Sequence, residues 1–392
     1  SLVAALSVNG ASLIAARVVQ GLGGAFMFAT SAALVTSAFP AGERGKALGL
    51  NVMATYLGLS VGPPLGGFLV DRFGWPWIFL VNLPIGILVL VWGGRILPRM
   101  APPPPPPKAG KMAPLDGFGA ALLAVALMAL LVPLTFAETW GWRAPGTWSL
   151  LGVAGLAMGA FLHRERRADQ PLVDLGLLRR NRLFAAANLA ALLNYMALYA
   201  IAILTAIELQ LVQGRSARTA GWIMLSQPAM QAVLSPWAGR LSDRLGSRLL
   251  STTGMLLTAL GMTLLALLGR RPEVVPILGA LALVGMGLAA FSSPNTSAIM
   301  GSVGADQLSM ASAFLSAMRV LGQALSVAIL GGIAASHLGP GGWRAMLRTG
   351  GPPEAAQAFA QGYATAMATG AALALLGAWA SLVRPGTPTS SA

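Results

Sequence analysis

The stretch GLSVGPPLGG, Gly58 to Gly67, carries four glycines and two adjacent prolines, yet apolar residues flank it on both sides for the length of a helix. In water such a run is a loop. In lipid it is a small-residue segment of a helix, so the solvent decides how it is read. Composition settles the solvent: of 392 residues, 56% are hydrophobic and only 10% charged, with a mean hydropathy of +0.71, far from an ordinary globular chain. The chain reads as a membrane protein.

Outward from that stretch, apolar segments recur at Gly10 to Phe39, Lys46 to Val70, Trp77 to Leu97, Gly117 to Phe136, Thr147 to Leu162 and Leu183 to Leu209. Five more follow, at Ala220 to Gly239, Arg248 to Leu268, Val274 to Met300, Met310 to Ser336 and Tyr363 to Val383. Most have the roughly 20 residues a helix needs to cross the hydrocarbon, and a helix satisfies its own backbone hydrogen bonds there. The expected fold class is an all-α polytopic membrane protein with eleven complete spans. The opening SLVAALSVNG has no initiator Met and no basic flank, and reads as the last turns of an earlier helix, so a fragment is expected. No signal-peptide pattern precedes the first full span.

The net charge of +14 would raise the question of nucleic acid in a soluble protein. With the first full helix running outside to inside, sixteen of the 26 Lys and Arg fall in inside loops and eight in outside loops, with Arg17 and Arg319 within helices. That is a positive-inside bias, and no nucleic-acid partner is expected. The absence of cysteine excludes disulfides and thiolate metal sites, and His163 and His337, at helix ends, are too few for a histidine cluster; no metal or cofactor is expected.

Two breaks divide the chain. PRMAPPPPPPKAGKMAPLDG, Pro98 to Gly117, holds six consecutive prolines that favour a stiff polyproline II spacer of about 3.1 Å per residue. Its basic residues place it on the cytoplasmic side. A second basic break is HRERRADQPLVDLGLLRRNRL, His163 to Leu183. The expected plan is a remainder of an N-terminal bundle at 1–97, a Pro-rich linker at 98–116, a two-helix insert at 117–162, a basic linker at 163–182 and a six-helix bundle at 183–392.

Within a membrane helix, Gly58, Gly62 and Gly66 recur every four residues along one face, where small residues let two backbones approach closely. Pro63 and Pro64 remove backbone donors and predict a bend.

This stretch, Gly58, Gly62, Pro63, Gly66 and Gly67 in particular, resembles the antiporter motif of the drug exporters of the major facilitator superfamily. LIAARVVQGLGGA, Leu13 to Ala25, is similar to that family's fourth-helix motif, with Arg17, Gln20 and Gly21 at its polar and glycine positions. WPWIFLVNLPIG, Trp75 to Gly86, resembles the start of the sixth helix, although Pro76 stands where an Arg is usual. GRLSDRLGSR, Gly239 to Arg248, is similar to the superfamily's cytoplasmic loop signature. FSSPNTSAIMGSV, Phe291 to Val303, and RVLGQALSVAILGG, Arg319 to Gly332, resemble the C-terminal half of the 14-helix drug:proton antiporter branch. On that plan the spans are helices 4 to 14, with helices 1 and 2 and most of 3 missing.

The resemblance implies a major facilitator fold of two helical bundles plus a two-helix insert. It also implies a proton-driven antiporter that exports amphipathic small molecules by alternating access, with the proton gradient as energy source. Its partners are then the exported compound, protons and the lipid bilayer, joined in a Gram-negative cell by a periplasmic adaptor protein. Twenty-three Arg against three Lys fit a GC-rich genome and, with the resemblance, a multi-pass protein of the bacterial cytoplasmic membrane. A dedicated exporter of a single metabolite or antibiotic, and a non-functional fragment, stay open. A membrane-embedded enzyme is disfavoured, since the outer loops offer only isolated acids such as Glu138, Glu273 and Glu354.

Arg17 within a span costs about 2.5 to 3.5 kcal/mol on insertion scales, so it faces the bundle interior or water, or snorkels to the outer interface. The resemblance assigns Arg17, with Gln20 and Gly21, to proton coupling through the pKa of a nearby carboxylate. Glu208 either supplies a proton or cation site or sits at the interface facing outside water. Asp243 can accept from the next helix's free N-terminal amides or pair with an Arg across the bundle interface. The resemblance assigns Gly239, Asp243, Arg244, Gly246 and Arg248 to a latch of the inner gate, with Glu43 and Arg44 as partners for the equivalent loop. For the substrate cavity the polar and aromatic mid-helix residues are Asn194, Tyr195 and Tyr199; Ser293, Asn295 and Thr296 around Pro294; and Arg319 with Gln323. An Arg319 without a nearby acid leaves anionic or neutral amphiphiles open as substrates.

Overall fold

The computed structural model describes residues 1–96, 116–140, 144–167, 175–268, 273–339 and 353–382, and among them there is helix and no strand. The helices are α1 (Leu2–Ala5), α2 (Gly10–Ala38), α3 (Arg44–Phe73), α4 (Trp77–Leu80), α5 (Asn82–Ile96), α6 (Gly117–Trp140), α7 (Pro145–Glu165) and α8 (Leu175–Arg180). They continue as α9 (Arg182–Ile207), α10 (Ala217–Met224), α11 (Ser226–Leu245), α12 (Ser247–Leu268), α13 (Val274–Gly301), α14 (Leu308–Ser326), α15 (Gly332–Ser336) and α16 (Pro353–Leu382). Ten helical stretches among the described residues are long and apolar enough to cross a membrane. The predicted span Ala220 to Gly239 is present as α10 and α11 but falls outside those ten, because α11 is too polar in composition; of its polar residues Gln231, Ser235 and Ser242 are buried. The span predicted from Trp77 is divided at Val81 into α4 and α5.

Local sequence explains where these helices begin and end. Asn9 accepts from the Ser12 amide at 2.8 Å and Ser12 reaches back to the Asn9 backbone, a reciprocal cap on α2. Asn181 caps α9 through the Phe184 amide and donates to the Ser302 carbonyl at 2.6 Å, tying the start of α9 to the end of α13. Gly246, at φ 85, closes α11 and turns the chain into α12, a backbone conformation that a side chain disfavours.

A large buried apolar cluster joins α9, α12, α13 and α16 around Ile201, Met255, Met262, Phe291, Phe359 and Tyr363. Without a hydrophobic drive between helices in lipid, this contact depends on small residues that let backbones close in. A Cβ on Gly254 of α12 would sit 2.6 Å from the Gly287 carbonyl of α13. The α2, α3 and α4–α5 spans are far more open: 6% of the most apolar window of each is buried, against 56% for α9 and for α12.

The opening glycine stretch departs from expectation. No atom lies within 4 Å of a Cβ built on Gly58, Gly62, Gly66 or Gly67, so the close helix contact their spacing predicts is not made to any described residue. Helix α3 continues through Pro63 and Pro64, as a bent helix also does. The close approach of α3 falls earlier, at Gly45 and Gly49, because that end of α3 lies against α11 while the later glycines face open space. The expected Pro-rich linker lies outside the described residues apart from Asp116, whose carboxylate pairs with Arg164 at 2.9 Å and joins the facing ends of α6 and α7. The expected second linker holds the end of α7 and all of α8.

Candidate functional site

The start of α3 meets α11 and α13 in one polar knot. Asp243 of α11 accepts from the backbone amides of Gly45 at 2.8 Å and Lys46 at 3.0 Å, so its charge sits on the free donors and positive dipole end of α3. Ser293 of α13 donates to the Gly45 carbonyl at 2.8 Å. Gly239, one turn before Asp243, packs its backbone on that of Gly45, and neither position has room for a Cβ. The partner of Asp243 is therefore the first turn of α3 rather than that of the next helix. Burial raises the Asp243 carboxyl above its ordinary value, the Lys46 and Gly45 amides pull it back down, and Glu43 adds a smaller upward push. Arg44 turns away, its Nε donating to the Phe39 carbonyl at 3.3 Å, while Arg244 and Arg248 are exposed. Gly45 and Gly49 are absent from the sequence-based site; their four-residue spacing is the signal that could have found them.

About 4 to 16 Å along α3 from Gly45, at 1.5 Å per residue, a cavity opens between helices. Its lining comes from Phe28, Ser31 and Ala32 of α2; Leu48, Asn51, Val52, Thr55 and Tyr56 of α3; Tyr195 of α9; Ser292 and Thr296 of α13; and Ser312, Leu315, Ser316 and Arg319 of α14. Hydrogen bonds frame it: Asn51 donates to Ser31 at 3.3 Å and Ser316 to the Phe28 carbonyl at 3.2 Å. The Arg319 guanidinium lies 5.2 Å from the centre of the Tyr195 ring, and its Nε is buried without a hydrogen-bond partner among the described residues.

Of the predicted cavity residues, Tyr195, Thr296 and Arg319 line this space. Asn194 is fully buried, Asn295 donates to the Ala187 carbonyl at 3.1 Å, and Gln323 is half-buried, all three away from the lining. Tyr199, one turn beyond Tyr195, is 48% exposed and is not part of the lining. Asn51, Thr55, Ser292, Ser312 and Ser316 escaped the sequence reading, although their helical spacing, to one another or to Thr296 and Arg319, marks a polar face.

Arg17 sits elsewhere, exposed on α2, where it donates to the Gln20 amide oxygen at 2.8 Å and lies 5.9 Å from the Phe79 ring centre. Gln20 in turn donates to the Ser1 hydroxyl at 3.0 Å, and no atom lies within 4 Å of a Cβ built on Gly21. Among the described residues the hydrogen-bond partner of Arg17 is an amide, not the expected carboxylate. Glu208 is 2% exposed, so it does not face water. It opens a π-helical turn, Glu208–Val212, whose wider winding turns it inward beside Gln213 and Tyr363. Its carboxylate reaches hydrogen-bond geometry with no described group.

A bundle of apolar helices around a polar cavity, with a charged knot between helices at one end, defines the class: a multi-span helical membrane protein with a cavity between its helices. The sequence matches the model of the Major Facilitator Superfamily over residues 1–207 and 187–353, and the chain belongs to that family. It is 34% identical over 339 residues to the multidrug resistance protein Stp of Mycobacterium tuberculosis, covering 86% of this chain and 62% of that protein. It is 31% identical over 339 residues to the riboflavin transporter RibZ of Clostridioides difficile, covering 86% of this chain and 71% of the relative. A tetracenomycin C resistance and export protein of Streptomyces glaucescens is 31% identical over 359 residues, covering 90% and 65%. The chain thus spans about two thirds or less of the length of Stp and of the Streptomyces protein. Among solved structures, the human organic anion transporter MFSD10 superposes with a TM-score of 0.62 at 19% identity, over 97% of this chain and 73% of that one, which shows a shared fold.

Proposed function

We propose that this chain is a proton-driven exporter of amphipathic small molecules, an antiporter of the 14-helix drug:proton branch, in a bacterial cytoplasmic membrane. The observation that carries the reading is the position of the cavity: it opens between α2, α3, α9, α13 and α14, within a few turns along α3 of the knot that joins Gly45, Asp243 and Ser293. In alternating access, two groups of helices rock about a central site, and contacts that exist on one side only bias which side is closed. The Asp243 contact is such a one-sided device. Its release lets the ends of α3 and α11 part and opens the cavity to the cytoplasm, and its return commits the substrate to the outside. Arg17 with Gln20, and the buried Glu208, are the groups through which a proton enters the cycle. Relatives named for multidrug resistance favour a broad substrate range. Those named for riboflavin and for tetracenomycin C favour a second reading, a dedicated exporter of one compound.

The test uses everted membrane vesicles containing the full-length protein, acidified inside by respiration and reporting through a quenched pH dye. Addition of an exported compound is expected to release protons and restore fluorescence, and Arg17→Ala is expected to abolish the signal. No response to cationic, neutral or anionic amphiphiles, with insertion verified, would overturn proton-coupled export.

A further inference from the structure

We propose that the cavity around Arg319 selects anionic amphiphiles: a flat apolar body carrying a carboxylate, sulfonate or phenolate. The inference takes its transport meaning from the export reading above, but its binding claim rests on the cavity alone.

Three observations carry it. First, among the described residues that line the cavity there is one permanent cation, Arg319, and no carboxylate; the other titratable groups facing it are Tyr56 of α3 and Tyr195 of α9. A guanidinium stays charged at any pH the cell meets, and its five N–H donors in a planar fork match a carboxylate or sulfonate in two parallel hydrogen bonds. Second, Arg319 is not saturated from within: its Nε is buried and has no hydrogen-bond partner among the described residues, so the guanidinium keeps donor capacity that the protein does not use. Third, of the rings that line the cavity, the Tyr195 face that a cationic ligand could use is taken. Arg319 already lies over the Tyr195 ring at 5.2 Å, and a ring with a guanidinium on its face has little left for a second cation. A like charge seated about 6 Å from Arg319, at an effective dielectric of about 20, loses roughly a hundredfold in affinity.

The rest of the lining fits the remainder of such a molecule. Phe28, Val52 and Leu315 offer apolar surface, whereas hydroxyls such as Ser312 and Thr55 can donate or accept and so do not discriminate by charge. The sign of the selectivity therefore falls to Arg319.

The experiment compares three probes that share one ring system: 2-naphthylacetate, 2-naphthaleneethanol and 2-naphthylethylammonium. Binding to the full-length protein in lipid nanodiscs is measured calorimetrically at pH 7, with empty nanodiscs subtracted. The anion is expected to bind about tenfold or more tighter than the alcohol, with the ammonium weakest. Arg319→Gln is expected to bring the anion and alcohol within about twofold of each other, and Arg319→Lys to keep the order with a smaller gap, since Lys retains the charge without the fork. The wild-type order tests the proposal even where a variant folds poorly. An ammonium that binds as tightly as the anion overturns it, as does an anion with no saturable binding, or an anion-to-alcohol ratio that Arg319→Gln leaves unchanged. Parallel uptake assays in everted vesicles separate the two claims. Anion binding without proton-driven uptake keeps the site and removes the export reading, whereas proton-driven uptake of the ammonium alone keeps export and removes the site.

Discussion

Asp243 and Gly45 lie 198 residues apart in the chain, and the carboxylate of the first accepts the backbone amide of the second at 2.8 Å. The bond joins the last turn of α11 to the first turn of α3, and the Ser293 hydroxyl holds the other side of Gly45. A free helix start is a row of unpaired donors, so an acid carried by another helix is both a cap and a clasp.

Asp243→Asn is expected to loosen that clasp. The amide offers one acceptor oxygen, and its NH2 group would oppose the second backbone N–H, donor against donor. The chain has no cysteine, so a single reporter at Ala47, which is buried in the first turns of α3, gives a clean reading. Labelling of Ala47→Cys by an impermeant maleimide from the cytoplasmic side is expected to speed up about tenfold in the Asp243→Asn background. An unchanged rate would show that the bond does not hold the two helix ends together.

Gly239→Ala is expected to cost about 1 to 3 kcal/mol, the usual range for overpacking, because its Cβ would collide with the Gly45 backbone, which cannot rotate away. Gly279→Ala, at a position with nothing within 4 Å, is the control and is expected to stay within about 0.5 kcal/mol of the parent. Thermal unfolding in detergent compares the two.

The α6–α7 pair should respond to acid in one direction only. The Arg164 side chain and then the Gly119 amide hold the Asp116 carboxyl below its ordinary value of 3.8. An acid whose folded value is depressed contributes stability that is fully present above its unfolded value and is lost as pH falls through the folded one. Hydrogen exchange in the first turn of α6 is therefore expected to keep its protection from neutral pH to about 3.8 and to lose it below, after correction for intrinsic rates. Asp116→Asn is expected to show the weakened contact already at neutral pH, with no acid transition.

Glu208→Gln separates a proton site from a packing residue. A buried amide of the same shape carries no uncompensated charge, so folding and thermal stability are expected to be kept or raised. Proton-driven export in everted vesicles is expected to fall at least tenfold, and a variant that exports at the parental rate would return Glu208 to a structural role.

Much of the fold was legible because lipid makes helix formation a local matter. Each span needs length and apolar composition, and each satisfies its own backbone, so the windows around Gly10, Val274 and Arg182 could be read residue by residue. Some of the cavity was legible for the same reason: a charge as costly as Arg319 has to face something polar, and it does. Tyr199 failed because an aromatic residue in mid-helix is equally at home toward lipid, and one turn along α9 separates it from Tyr195, which faces the cavity.

Sequence alone determined that this is a multi-span helical membrane protein, where its helices run, and that a few charges inside them require an explanation. Only the tertiary structure decided which faces meet. Gly45 and Gly49 have the same four-residue spacing as Gly58 and Gly62, yet the first pair packs against α11 and the second meets no described atom. The physical reason is that a glycine permits close approach but does not attract, so contact depends on where another helix lies. The partner of Asp243 is set in the same way, by a helix start brought to it across 198 residues of chain.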